Sequence, residues 1–305
     1  MQLKFYTLDV FTDVRFGGNP LAVVLDADGL ETAEMHKIAR EFNLSETVFV
    51  LRPENPAHNA RVRIFTPTSE LPFAGHPTVG TAILLAELRA HAQSGSATAL
   101  VLLEEQIGSV RVGVRMGSGV PAFAEFDAPR LPVETGGVPT RDIIAAALGL
   151  MPSEIGFANH KPRRMTAGGG FLFVPVVSLE AMGKAAPNLS RWAALTDDGE
   201  GIGVYLYTGE TVHATAQYHA RMFAPHHGVL EDPATGSAAA AFAGIVQLFD
   251  KLPDGTHKRQ IEQGYEMGRP SRIFLSLDVV NGALTTVRIG GHAVQVSEGM
   301  ITVAN

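Results

Sequence analysis

The sequence predicts an α+β protein of two pseudo-symmetric domains, each a set of strands around a central apolar helix. Three observations lead there. Short segments of alternating or continuous apolar residues recur along the whole chain and read as strands. Two runs, residues 78–88 and 237–249, are apolar on almost every side, and a helix of that kind belongs inside a core. The same order of strand, turn and apolar helix also occurs twice. Arg63-Ile-Phe-Thr-Pro67 matches Arg221-Met-Phe-Ala-Pro225 at a shift of 158 positions, and Pro77-Thr-Val-Gly-Thr-Ala82 matches Pro233-Ala-Thr-Gly-Ser-Ala238 at a shift of 156. Two copies in 305 residues suit two similar domains facing each other across a cleft, not a solenoid of short repeats. The expected domains are 1–128, completed by a last strand at about 293–305, and 129–292.

In the first half, residues 3–11 and 21–25 alternate as strands, with Asn19-Pro20 between them. Thr32 is placed to cap a helix carrying Met35, Ile38, Ala39 and Phe42. Strands follow at 47–51 and 60–65, then the turn at 73–77 opens the first apolar helix. Residues 91–96 form a polar connection to strands at 98–103 and 109–116. In the second half, 120–126 is a strand, and Thr140 caps a helix that Gly149 ends. Strands at 171–177, 202–207 and 212–223 and a short helix at 189–195 lead to the second apolar helix. The chain ends in strands at 272–277, 284–289, 293–296 and 301–303. Arg163-Arg164 reads as a solvated charge pair and Gly168–Gly170 as a mobile loop.

Composition narrows the function. A net charge of −7 without a Lys/Arg cluster argues against a nucleic-acid surface. The absence of cysteine removes disulfides, thiolate metal sites and thiol catalysis. No apolar run reaches the roughly 18–20 residues of a membrane span, and residues 1–10 lack a signal-peptide apolar region, so a cytoplasmic protein without membrane contact is expected. The eleven histidines include the adjacent His226 and His227 but show no metal-ligand spacing, so no metal is expected. That pair is placed instead on the rim of the cleft, ahead of Asp232. Gly236 and Ser237 match neither a phosphate-binding loop nor a hydrolase elbow. They do open an apolar helix, whose unpaired N–H groups and dipole favour an anion such as a substrate carboxylate.

The set Asp9-Val-Phe-Thr, Gly18-Asn19-Pro20, Leu44-Ser-Glu46-Thr, Arg63-Ile-Phe-Thr-Pro67, Phe73-Ala-Gly-His-Pro77, Glu231-Asp-Pro-Ala-Thr-Gly-Ser237, Gln263-Gly-Tyr-Glu-Met-Gly-Arg-Pro-Ser271 and Gly290-Gly-His-Ala-Val294 resembles the PhzF family of phenazine-biosynthesis-like isomerases over essentially the whole chain. The resemblance implies the diaminopimelate-epimerase-like fold, with a strongly curved, barrel-like, mostly antiparallel sheet around each central helix. It also implies no metal or organic cofactor and a homodimer. Related racemases carry one cysteine at the head of each central helix, where this chain has Ala74 and, nearby, Pro233; a two-thiol racemase is excluded. The residue matching the family's proton-moving glutamate is Glu46, with His76, Asp232, Asn19, Gly75, Gly236 and Ser237 in the site region.

Each of these residues also has an ordinary role open to it. Glu46 read alone is a solvated or capping glutamate, and as a base it needs partial burial in the cleft. His76, at the head of the first apolar helix, is either a capping group or a substrate-binding or proton-relaying one. Its expected counterpart across the repeat is the Asp232 turn. Asp232 either caps the 233–236 turn, pairs with a substrate amine or hydroxyl, or does both. The function expected is a cofactor-independent isomerase moving a proton on a small carboxylated metabolite. The alternatives are a ligand-binding or interaction protein without catalysis, and a lyase or epimerase on the same scaffold.

Overall fold

The computed structural model describes residues 1–90, 97–195 and 202–303, without the side chain of His227. The connection expected at 91–96 lies outside the described residues. The chain divides into two compact units, Met1–Asp127 with Gly290–Asn305, and Ala128–Ile289. The strand Ala283–Thr302 belongs to both, because the boundary falls within it.

In the first unit the pairing closes on itself. Gln2–Val10 pairs with Asn19–Val24, which runs parallel to Glu46–Leu51. The ladder continues through Ala60–Phe65, then parallel to Ala97–Glu105, then Gly108–Gly117 and Val120–Asp127. Ala283–Thr302 pairs with Val120–Asp127 and with Gln2–Val10, so the sheet has no free edge along this path. Inside lies the helix Gly75–Ala90, whose first ten residues are all buried. Gly80 lets it approach the wall, since a Cβ there would stand 2.7 Å from both Leu21 and Val10 side chains.

The second unit repeats the plan. Arg163–Thr166, Gly170–Pro175 and Gly203–Thr208 pair in sequence, the last two in parallel. Tyr218–Ala224 joins Gly203–Thr208 and then runs parallel to Gly255–Gln263, which pairs with Ser271–Val280. Its central helix, Gly236–Asp250, carries Phe242 into a ring of Phe173, Tyr205, Tyr207 and Tyr218. Burial of that aromatic surface helps hold the helix in place.

The shift of 158 reappears in the hydrogen bonds. Ala60 and Arg61 pair with Leu103 and Glu104, as Tyr218 and His219 pair with Ile261 and Glu262. The Glu104 carboxylate accepts from the N–H groups of Glu54 and Asn55, as Glu262 accepts from those of Val212 and His213. The Asn59 side chain accepts from Leu102 N–H, as Gln217 accepts from Gln260 N–H.

Several local expectations change. Thr32 is the first helical residue and not the cap; Glu34 reaches back to the Glu31 N–H, while the Thr32 hydroxyl accepts from Arg63. The strand expected at 212–223 starts only at Tyr218, because Glu262 takes the N–H groups that a ladder would need. Gly255–Gln263 is a strand that its polar composition concealed. Arg164 is buried and donates to the Leu195 carbonyl at 2.6 Å, so it is not a solvated charge. Gly170 belongs to a strand. Thr140 and Gly149 bound their helix as expected, the glycine at φ 67°. No helix among the described residues is long and apolar enough to cross a membrane.

Candidate active site

Within the first unit, two chain turns bring the candidate groups together. Gly18 sits at φ 63°, and a Cβ there would lie 2.3 Å from the Val10 carbonyl oxygen, so only glycine passes. Asn19 follows, fully buried at the start of its strand. The parallel register sets Leu21 opposite Glu46, which places Glu46 beside the Asn19-Pro20 entry. Gly75 and His76 open the central helix, and both are buried.

His76 and Glu46 meet: Nε2 of the imidazole is 3.2 Å from a carboxylate oxygen. Burial pushes His76 down to about 3, against the opposing pull of its hydrogen bond to the Pro20 carbonyl. The ring is therefore neutral at physiological pH. Nε2 makes no hydrogen bond, so the ring nitrogen that donates to Pro20 is Nδ1. A neutral imidazole protonated on Nδ1 presents a lone pair at Nε2. That nitrogen lies 3.2 Å from a Glu46 carboxylate oxygen.

Asp232, Gly236 and Ser237 lie in the second unit. Asp232 is buried and accepts from the Thr235 hydroxyl at 2.5 Å. The Gln263 amide donates to the Asp232 carbonyl at 2.8 Å and to the Thr235 hydroxyl at 3.1 Å, and its oxygen accepts from Thr235 N–H at 3.3 Å. Gly264, at φ 79°, allows this approach, because a Cβ there would stand 2.6 Å from the Pro233 carbonyl oxygen. Thr235 spends its hydroxyl on Asp232 and gives the helix Gly236–Asp250 no side-chain cap. The first N–H groups of that helix, at Gly236 and Ser237, keep their affinity for an anion.

The expected alignment of the helix heads is corrected. Each helix begins with an equivalent first-turn bond, Thr78 N–H to Ala74 and Ala239 N–H to Thr235. Just before it, Arg63 forks onto Glu70 as Arg221 forks onto Glu231. The strand pairing Ile64 with Leu71 corresponds to that of Met222 with Asp232. The heads thus match at a shift of 161, not 156. Ala74 corresponds to Thr235 and not to a position near Pro233, His76 to Ser237, and Leu71 to Asp232. The connection is three residues longer in the second unit because it holds the 3₁₀ turn Pro225–His227. His226 is exposed on that turn. The Pro-x-x-Gly match that suggested 156 reflects chance among small residues.

Three neighbours had no individual role in the sequence: Thr78, Glu105 and Gln263. Thr78 and Gln263 fall inside quoted motifs, whereas Glu105 lacks any local signal beyond its place in the repeat. Among the described residues, no three His, Asp or Glu side chains converge as a metal site.

Comparison with known proteins places this geometry in a family. The model of the phenazine biosynthesis-like proteins matches residues 8–299. An uncharacterized isomerase of Mesorhizobium japonicum is 51% identical, with 99% of each chain covered. The trans-2,3-dihydro-3-hydroxyanthranilate isomerase of Pseudomonas chlororaphis is 35% identical, covering 97% of this chain and 98% of its own. A Bacillus anthracis protein of the PhzF family superposes with a TM-score of 0.89 at 25% identity, covering 99% and 100%. A hydroxyproline epimerase of Agrobacterium vitis, at TM-score 0.65 and 12% identity, shares the fold.

Proposed function

The chain belongs to the phenazine biosynthesis-like family and is an isomerase, and from that premise we propose that Glu46 is its single proton carrier, acting without a cofactor on a small carboxylated, conjugated substrate. The observation that carries this is the 3.2 Å approach of Glu46 to a neutral His76. With a lone pair at Nε2, the two groups are matched when one proton lies between them. His76, held down to about 3, does not retain a proton at neutral pH, so a proton taken up by the pair during turnover is carried by Glu46.

The reaction then balances with one carboxyl group. Glu46 as carboxylate takes a proton from carbon, and the electron pair of that C–H bond enters the substrate's π-system. The resulting Glu46 acid, accepted by His76 Nε2, returns the proton to another carbon on the same face, and the double bonds shift. In the second unit, Asp232 is suited to an amine or hydroxyl, and the helix head at Gly236 and Ser237 to a carboxylate. Asn19 and Gly75 shape the approach to Glu46. The named activity of the Pseudomonas chlororaphis relative makes trans-2,3-dihydro-3-hydroxyanthranilate the first substrate to offer.

The test is NMR of that compound with the protein in D₂O. Conversion with deuterium at the newly protonated carbon is the expected result. If the compound binds, as a rise in melting temperature would report, but neither converts nor exchanges, the chain does not isomerise it.

A further inference from the structure

Glu105 ends the strand Ala97–Glu105, and Gln263 ends Gly255–Gln263, its nine-residue counterpart at the shift of 158. Both side chains are buried and both reach the head of their unit's central helix. Gln263 is neutral at every pH. Glu105 occupies the same place with a carboxyl group, and no cation bonds to it among the described residues.

Proton counting decides its state. The Thr78 hydroxyl lies 2.7 Å from the Ala74 carbonyl oxygen and 2.7 Å from a Glu105 oxygen. A hydroxyl has one proton to give, and a carbonyl can only accept. If Thr78 donates to Ala74, the hydrogen bond to Glu105 needs a proton from Glu105. The other Glu105 oxygen is buried without a hydrogen bond, a far smaller cost for an acid's carbonyl than for a carboxylate.

We propose that Glu105 is a positioning residue for His76 that works as a neutral acid, donating to Thr78 so that the Thr78 hydroxyl holds the Ala74 carbonyl at the head of the helix. Ala74 lies two residues before His76, so this bond helps fix the imidazole against Glu46. Gln263 does the corresponding work in the other unit, donating to the Thr235 hydroxyl at the position equivalent to Ala74.

The surrounding charges leave this proton alone. The helix presents Thr78 to Glu105, while on the adjoining strands Arg61 is paired with Glu54 and Glu104 is held by two N–H groups and His58. Burial lifts the Glu105 carboxyl to about 8. Because the folded value lies above the unfolded one, this stability is complete below about 4.5 and is lost as pH rises through about 8. Once ionised, Glu105 draws the Thr78 proton to itself and the Ala74 carbonyl loses its side-chain donor.

The direct test is carbon-13 NMR titration of the Glu105 carboxyl in the full chain, with the His76 ring nitrogens followed in parallel. A midpoint near 8, shared by a shift of the His76 signals that Glu105→Gln abolishes, is the expected result. Titration near 4.5, or a His76 shift that persists unchanged in Glu105→Gln, overturns the proposal. The kinetic arm rests on the isomerase reading and the NMR arm does not, so their failures are distinguishable. In it, Glu105→Gln stays within about threefold of the wild-type kcat at neutral pH and loses the alkaline decline, whereas Glu105→Leu loses about tenfold in kcat at all pH. Identical alkaline limbs in wild type and Glu105→Gln also overturn it; should Glu105→Leu not fold, the Gln variant and the titration decide alone.

Discussion

The two units share a scaffold and differ in what they mount on it. Leu21 lies opposite Glu46 in the first unit, and in the same parallel ladder of the second, Phe171 lies opposite Gly203. A Cβ on Gly203 would be 2.8 Å from the Phe171 ring. The position that holds a carboxyl group in one unit is thus filled by an aromatic ring in the other. At the helix heads, His76 faces Ser237 in the correspondence, and the Leu71 position becomes Asp232. One unit carries a histidine–carboxyl pair; the other carries hydrogen-bonding groups and an uncapped helix end. The two units share one frame, and under the proposed function only the first carries the proton-transferring pair.

That asymmetry can be broken experimentally. The largest expected effect is on rate: Glu46→Gln should lower kcat by about 10²–10⁴-fold, because no group at Gly203 can replace it. Steady-state kinetics on the isomerised substrate checks this.

Next comes a buried contrast at equivalent positions 61 and 219. His219 is almost fully buried between Glu262 and Glu266, at 2.9 Å from each. Burial opposes its charge, but the two carboxylates outweigh it and raise His219 to about 9. His219→Phe strands two carboxylates and should cost about 3–5 kcal/mol in urea unfolding. Its contribution is complete below about 6.5 and fades as pH rises through about 9, so the gap between wild type and variant should narrow at alkaline pH. At the matching position, Arg61 makes an exposed pair with Glu54, and Arg61→Ala should cost at most about 1 kcal/mol.

Between these falls Gly203→Ala. Crowding Phe171 should destabilise the fold by about 1–3 kcal/mol. A neutral or stabilising result would mean that Phe171 yields, and that the second unit retains room for a side chain opposite it.

Much of this was legible in the chain. The strand match of Arg63 with Arg221 survives as matched ladders and matched carboxylates, Glu104 and Glu262, that accept from equivalent N–H groups, because buried strands repeat both apolar pattern and register. The helix heads were misjudged by five positions, since Pro, Gly and Ala recur too often there for a six-residue match to fix the register. Glu70-Leu-Pro72 and Glu231-Asp-Pro233, each anchored by an arginine fork, mark it correctly. Gly255–Gln263 escaped notice because its outer residues are polar. Glu105 had no motif of its own; only Gln263 across the repeat reveals its part.

The measurement that bears most directly on the single-carrier account is single-turnover conversion of trans-2,3-dihydro-3-hydroxyanthranilate by excess wild-type and Glu46→Gln protein, with binding followed in the same samples. The account predicts undiminished binding and conversion slowed by at least about 100-fold in the variant. Conversion by Glu46→Gln at the wild-type rate would contradict it.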